Sequence, residues 1–402
     1  MAKRSDVPEF GPLAGIKMVH SAISFAGPFC AQIYAELGAD VIWIESTLAF
    51  DTARVTGWPC EQDRRNQRTI SLNIPTPEGK EVFLQLIKEA DVFLEASRGG
   101  QYDKWGLSDQ VLWKQNPALV IIHVSGFGQY GVPEYVSRAS FDPVAQAFGC
   151  LMHTNGYPDR PPIPAFPVVA DYFTALFALG SSLAALYKAK TTGQGESIDV
   201  AQYEAIMRIQ TRAMEYVSGG LVYPREGNRS NKVAGYGNYP CKDGEEVCLI
   251  FLGTGVLKSG LPILGLEYGS ELFPANTNQI ILKSPAGQLL DKKIQEFCDT
   301  HTAAEVEKIL ASNGVPCSRV MTYAMAANHS HYMAREVFLE WKKVNGEPIK
   351  GVNVFPKLKN NPGRVWRGAP TVGMDNDDIL TDLGLSEAEI ARLYEKAIIR
   401  KL

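Results

Sequence analysis

The chain has 402 residues, 45% hydrophobic and 21% charged, enough for a substantial core in two domains or in one large domain with an insertion. Its net charge is -4 with no basic block, which argues against nucleic acid as the main partner and leaves room for a local basic pocket that binds phosphates.

The seven cysteines are scattered, with no C-x-x-C pair, and read as reduced thiols of a cytoplasmic protein. The N-terminal MAKRSDVPEFGPLAG has no apolar run behind its basic residues, so it does not read as a signal peptide. No uninterrupted apolar stretch is expected to span a bilayer, and no membrane partner is expected.

In chain order, residues 15–20 read as a strand and 28–37 as a helix that tolerates Pro28 in its first turn and stops at Gly38. Strands follow at 41–45 and 69–73. Thr76 is placed to cap a helix with Pro77 at its first position and Val82, Phe83, Leu86 and Ile87 as its apolar stripe. Residues 92–95 read as a short buried strand, Ser108 as the cap of a helix through Trp113, and 119–124 (LVIIHV) as the strongest strand of all. This βαβα order predicts an α/β fold: a Rossmann-like parallel sheet with helices on both faces.

Further on, a long apolar helix runs from Asp171 to about Lys188, a turn and strand occupy 193–200, and 201–217 reads as one helix. The polar, Gly/Asn-rich stretch 225–232 is a candidate linker. Asp243-Gly244 between two apolar runs predicts a hairpin, and helices follow near 289–300 and 303–312, the second stopped by Gly314. The tail returns to a strand around 350–356 and ends in a helix opened by the capping box Ser386-x-x-Glu389. The reading is a large α/β domain over 1–225, completed by 331–402, with a smaller α+β domain over 226–330.

Ligands of parallel sheets sit at the carboxyl ends of the strands. Three loops leave those ends with useful composition: 21–28, 96–100 and 125–131. The first lacks the G-x-G-x-x-G of a nicotinamide site, and neither a phosphate-binding P-loop nor a G-x-S-x-G elbow occurs. His329 and His331 have no third ligand near them in sequence, so no metal is expected. Arg98, followed by two glycines, suits bidentate contact with a phosphate or carboxylate, or is a solvated surface cation. The glycines of 125–131 let a ligand approach the backbone closely, or simply form a tight turn.

Asp171 is the only charged residue between Arg160 and Lys188. An acid among so many apolar neighbours must be hydrogen-bonded, paired or held for chemistry. By residue type alone it reads as the cap of the helix that begins there.

The chain resembles the class III CoA-transferases. The likeness is carried by Gly11-Pro-Leu-Ala-Gly15, Ala26-Gly-Pro28, Leu37-Gly-Ala-Asp-Val-Ile-Trp-Ile-Glu45, Ser71-Leu-Asn73, Glu95-Ala-Ser-Arg98 and Ser125-Gly-Phe-Gly. The apolar approach to Asp171 and Gly193-x-Gly-Glu196-x-Ile-Asp199 are its most specific parts, and the motifs run in order over nearly the whole chain. Within the family it is most similar to the branch that transfers CoA to L-carnitine. That likeness rests on Ser125-Gly-Phe-Gly-Gln-Tyr-Gly131, Ala165-Phe-Pro-x-x-Ala-Asp-Tyr172, Asn360-Asn-Pro-Gly-x-x-Trp-Arg-Gly368 and Gly373-Met-Asp375.

The resemblance implies that Asp171 is a nucleophile that attacks an acyl-CoA thioester, forms a mixed anhydride and releases CoA thiolate. A helix N-terminus would help keep that carboxylate ionised. It implies further that Arg98 meets the phosphates or adenine end of CoA, with Lys104 as a second cation. The family often has Arg in the pair before Gly106; here the pair is Lys104-Trp105, so Trp105 either stacks on adenine or packs. Leu72 and Asn73 match backbone-contact positions near the adenine.

The substrates implied are acyl-CoA and a carnitine-like carboxylate, with γ-butyrobetainyl-CoA or crotonobetainyl-CoA as donor. CoA thioesters are substrates, and no prosthetic group is expected. An interlocked homodimer is implied as well. A quaternary ammonium is best held by aromatic faces, and Trp58, Tyr172, Tyr236, Tyr239 and Trp366 are the candidates. Related racemases carry a His where this chain has Phe141, and the small-domain glycine run of some members is reduced here to Gly253-Thr-Gly255. A same-fold transferase for a dicarboxylate, a racemase and a non-catalytic CoA-binding protein remain alternatives.

Overall fold

The computed structural model describes residues 6–401. The opening basic residues of the N-terminal segment, read above as no signal peptide, lie outside them. Six strands form one parallel sheet: β1 (Lys17–His20), β2 (Asp40–Glu45), β3 (Arg68–Ser71), β4 (Val92–Glu95), β5 (Val120–Ser125) and β6 (Glu196–Ala201). Their order is β3-β2-β1-β4-β5-β6, the Rossmann-like arrangement expected from the alternation of strand and helix signals.

Successive side chains of a strand point to opposite faces. Phe93 and Ile121 therefore enter one core with Ile70, Phe83 and Leu380. Val92, Leu94, Val120 and Ile122 enter the other with Tyr34 and Ala178. Burial on both faces explains why these strands read as unbroken apolar runs rather than as alternation.

The helix Pro77–Glu89 begins as its sequence predicts, with Thr76 Oγ1 accepting from Gly79 N at 3.1 Å and the expected apolar stripe buried. Ser108 stands at the cap position of Asp109–Gln115 but makes no side-chain cap bond. The helix expected over 201–217 is two, Gln202–Arg208 and Thr211–Gly219, and the second buries none of its residues. The helix expected from Asp171 starts earlier and ends later, at Val169–Thr192. By length and composition alone it is apolar enough to cross a bilayer, contrary to the expectation above, although its charge-free run between Asp171 and Lys188 is shorter than a full span. Its inner face packs on β5, β6 and the helix Ala26–Glu36.

The C-terminal segment closes the β3 edge. Asp375 Oδ2 accepts from Thr69 N at 3.0 Å and Asn376 Oδ1 from Ser71 N at 2.9 Å, so side chains replace the missing neighbour strand. The hairpin of β10 (Phe338–Lys342) and β11 (Pro348–Val352) precedes it; β10 went unread, and β11 stops before the end expected for a strand over 350–356. The capping box of Ser386 and Glu389 is present.

Two compact units divide the chain. The first holds the parallel sheet and runs to Leu151, then over Pro164–Gly220 and from Glu336 onward. The second comprises Met152–Ile163 and Leu221–Arg335. Residues 152–163, read from sequence as part of the large domain, join the second unit through hydrogen bonds to their carbonyls. Gly227 N donates to Gly156 O at 2.9 Å, and Arg225 Nη2 to Arg160 O at 2.6 Å. This unit carries an antiparallel sheet of β7 (Tyr236–Pro240), β8 (Glu246–Ile250) and β9 (Cys317–Arg319), with Asp243-Gly244 in the predicted hairpin connection. The helices Pro285–Thr300 and Ala303–Ser312 pack Leu290, Ile294 and Val306 against Val247 and Leu249.

Candidate active site

β1 and β4 are neighbours, and the chain leaves them in opposite directions across the sheet. The crevice outside the carboxyl ends at such a reversal is the usual ligand site of an open α/β sheet. A cleft of about 500 Å³ lies there. The three loops singled out by sequence converge on it, contributing Ile23 and Ser24, Ala96 to Arg98, and Ser125 with Gly126. Arg138 to Phe141, Asp171 and Gln202 complete the walls.

The walls are held by specific contacts. A Cβ on Gly126 would lie 2.2 Å from Ser140 Cβ, so glycine there permits the close approach of two cleft segments. Ser24 has φ of 63°, a left-handed conformation uncommon for a residue with a Cβ. Its N–H donates to Asp51 Oδ1 at 2.9 Å and its carbonyl accepts from Arg64 Nη2 at 2.7 Å. Asp51 and Arg64 are themselves a fully buried ion pair, with the guanidinium 4.8 Å over the Trp43 ring.

Asp171 lies in the first turn of Val169–Thr192 and is only 4% exposed. It is not the helix cap. Asp142 fills that role from a distant segment, its Oδ1 accepting from Ala170 N at 2.7 Å and from Asp171 N at 3.4 Å. Gln146 Nε2 braces the other Asp142 oxygen at 2.7 Å. The Asp171 carboxylate is left to one partner: Oδ1 accepts from Gln202 Nε2 at 2.5 Å, and Oδ2 has no hydrogen bond among the described residues.

Burial first, and the negative charge of Asp142 second, push the Asp171 carboxyl up to about 7, against the smaller downward pull of Gln202. The expectation that the helix N-terminus holds this group ionised is thus corrected, because another acid already occupies the first free N–H groups. Near neutral pH the group is divided between its carboxylate and its protonated form.

The other predicted positions fall in different places. Arg98 is exposed and lines the cleft, as does half-buried Trp105, which meets Tyr102 edge-on at 5.0 Å. Lys104 is exposed and does not line it. Leu72 and Asn73 lie at the far edge of the sheet, outside the cleft lining, with their N–H groups donated to Glu45 O at 2.7 Å and Ile398 O at 2.8 Å. Leu72 belongs to the core.

None of the five candidate cage aromatics lines the cleft; Trp105 and Phe141 are its rings. Tyr172 packs edge-on to Phe29 at 4.7 Å, and Tyr239 is buried with its hydroxyl donated to Asp291. His329 Nδ1 accepts from His331 N at 3.2 Å as a helix cap.

Sequence reasoning missed Gln202 and Arg138. Gln202 follows β6 directly, which places it at the ligand end of a strand. Arg138 lies over the Tyr135 ring at 4.6 Å, in the segment beyond the glycine loop.

The family model described as CoA-transferase family III matches residues 13–376. The chain belongs to CoA-transferase family III. It is therefore a transferase, of a family whose substrates are CoA thioesters. Among solved structures, a CAIB/BAIF family protein from Brucella suis is 28% identical, with a TM-score of 0.78 over 93% of this chain and 100% of that one. Rv3272 from Mycobacterium tuberculosis is 20% identical, with a TM-score of 0.79 over 92% and 99%, a likeness of fold alone. Within this CoA-transferase, Phe141 stands exposed at the cleft where racemases of the resemblance carry histidine, and Asp142 beside it is committed to the helix cap.

Proposed function

We propose that this CoA-transferase moves CoA from γ-butyrobetainyl-CoA or crotonobetainyl-CoA to L-carnitine through an anhydride on Asp171. The observation that carries the mechanism is a buried carboxylate in the cleft with one oxygen fixed by Gln202 and the other without a partner among the described residues. That oxygen attacks the thioester carbonyl, the C–S bond breaks, and CoA leaves as thiolate, giving an aspartyl-acyl anhydride. The acceptor carboxylate attacks the Asp171 carboxyl carbon of that anhydride, the donor leaves as its free carboxylate, and a second anhydride now joins the acceptor to Asp171. CoA thiolate then attacks the carbonyl of the acceptor, and the Asp171 carboxylate is regenerated. One thioester replaces another, so no external energy source is needed. A low-exposure site limits hydrolysis of the anhydride.

Arg98 and Arg138 are the two cations we assign to the CoA phosphates, and we assign the adenine to Trp105, which lines the cleft where Lys104 does not. The choice of carnitine rests on sequence likeness to that branch of the family. The absence of a histidine at position 141 disfavours proton abstraction from an acyl-CoA. Exposed apolar residues support a homodimer: Leu176, Phe177 and Tyr187 on Val169–Thr192, with Met214 and Val217 on Thr211–Gly219. Seven free cysteines accord with a reducing cytoplasm.

The deciding experiment incubates the enzyme with labelled donor, traps the acyl group with hydroxylamine or borohydride, and maps the modified residue by mass spectrometry. Modification at Asp171 is expected; a tag on any other side chain overturns the mechanism. A panel of carboxylate acceptors tests carnitine against dicarboxylates in the same assay.

A further inference from the structure

We propose that His123 is a positioning residue for Arg98, acting through Glu95 and supported by a second tie from Gln129, so that it sets the affinity for CoA without touching it. This rests on the reading of the cleft as a CoA site.

Glu95 ends β4, His123 is its register partner on β5, and Asp199 is the partner of His123 on β6. Three titratable side chains thus stand in a row on one face of the sheet. His123 Nδ1 lies 2.8 Å from Glu95 Oε1, and Nε2 lies 3.0 Å from Asp109 Oδ1. A ring with a carboxylate at each nitrogen donates from both, so it is an imidazolium. Burial lowers the His123 pKa, but Asp109 and Glu95 outweigh it and push the group up to about 10.

The same cluster grips the loop 96–100. The second Glu95 oxygen accepts from Ser97 N at 2.6 Å. Gly100 N donates to Gln129 Oε1 at 3.0 Å, and Gln129 N donates to Asp199 Oδ2 at 2.8 Å. Arg98 stands between these two ties, lines the cleft, and has no side-chain hydrogen bond or ion pair among the described residues. An arginine on a backbone fixed at both sides has less freedom to lose when it meets an anion. Without the imidazolium, Glu95 and Asp109 are like charges with no counter-charge between them, so the Glu95 carboxylate is no longer held in place and the Ser97 tie weakens.

The test uses free coenzyme A as probe. It is titrated by calorimetry into wild type, His123→Gln, Arg98→Ala and the double variant, with a melting curve for each. His123→Gln should weaken CoA binding roughly tenfold, the size of one charge-assisted hydrogen bond, and far less in the Arg98→Ala background. KM for an acyl-CoA donor should rise in parallel, with kcat changed by no more than about twofold. CoA affinity equal to wild type in His123→Gln overturns the proposal, and so does a loss that persists undiminished without Arg98. Failure of wild type to bind CoA refutes the reading of the cleft instead. Gln129→Met decides the matter if His123→Gln does not fold. It cuts the Gly100 tie outside the ion cluster and should weaken CoA about threefold, again only when Arg98 is present; no change there sinks the inference.

Discussion

Substituting Asp142 with Asn tests one of the two causes that raise the Asp171 carboxyl. Burial is the larger cause that pushes the Asp171 carboxyl up to about 7, and the Asp142 charge is the second. Asparagine is as good a cap as aspartate, so its amide oxygen can keep the bond to Ala170 N while the charge, and with it the bond from Gln146 Nε2, is lost. Coulomb repulsion at an effective dielectric near 20 reaches about 4 kcal/mol at 4 Å, an upper bound here, because burial must retain the larger share. A drop of about one unit, or about 1.4 kcal/mol, is the expected consequence. The assay is kcat/KM for an acyl-CoA donor against pH. The carboxylate is the reactive form, so the rate rises with pH through the folded pKa. The acid limb should have its midpoint near 7 in wild type and near 6 in Asp142→Asn. A midpoint that stays at 7, or moves up, refutes the assignment of Asp142 as the charge that opposes ionisation.

Four further outcomes follow from the same geometry. Asp171→Asn should abolish exchange while retaining CoA binding, as read by calorimetry. Its stability should also depend less on pH: the native carboxyl keeps a proton that the unfolded chain has released, so wild type loses up to about 4 kcal/mol between about pH 4 and pH 8, and denaturation of both proteins at pH 5 and 8 measures the difference. Gln202→Leu removes the donor that opposes the rise and should move the acid limb upward by up to about one unit in the same pH–rate assay. Gly126→Ala places a methyl 2.2 Å from Ser140 Cβ and should destabilise the fold by about 1–3 kcal/mol in urea unfolding, with loss of CoA binding. Arg64→Ala strands the buried Asp51 carboxylate and frees the carbonyl of Ser24; about 3–5 kcal/mol of stability should go, against little change for the exposed pair Lys188 and Glu196.

What the sequence revealed followed the range of the interactions involved. The Thr76 cap and the Ser386–Glu389 box span three residues, and both could be read directly. The sheet was legible because β4 and β5, buried on both faces, read as unbroken apolar runs, and the rule that ligands sit at strand carboxyl ends singled out the three loops of the cleft. The residues that surround Asp171 were not legible. Asp142 reaches Ala170 across 28 positions and Gln202 reaches Asp171 across 31, distances at which no periodicity or capping rule operates. Trp105 and Lys104 are adjacent in sequence, yet one faces the cleft and the other solvent, because the short turn Gln101–Lys104 rotates successive side chains apart. Leu72 and Asn73 carried the pattern of a binding segment, but their N–H groups pair with Glu45 and with Ile398 of the returning C-terminal chain, a contact visible only after folding.

For the proposed mechanism, the ambiguity of Asp171 in the sequence, cap or nucleophile, turns on a third residue. A capping carboxylate spends its lone pairs on backbone N–H groups, which stabilise the anion and lower its reactivity. Had Asp171 capped its own helix, its charge would have been held and its pKa depressed. Asp142 instead satisfies Ala170 N and approaches Asp171 N, so the helix end is closed without using the Asp171 carboxylate. The same substitution places a second negative charge beside it and makes ionisation harder. A carboxylate so placed is a stronger base and a better nucleophile towards a thioester than a capped one, at the expense of being only partly ionised near neutrality. Gln202 then fixes one oxygen without supplying a full positive charge, which directs the other oxygen into the cleft while leaving it reactive.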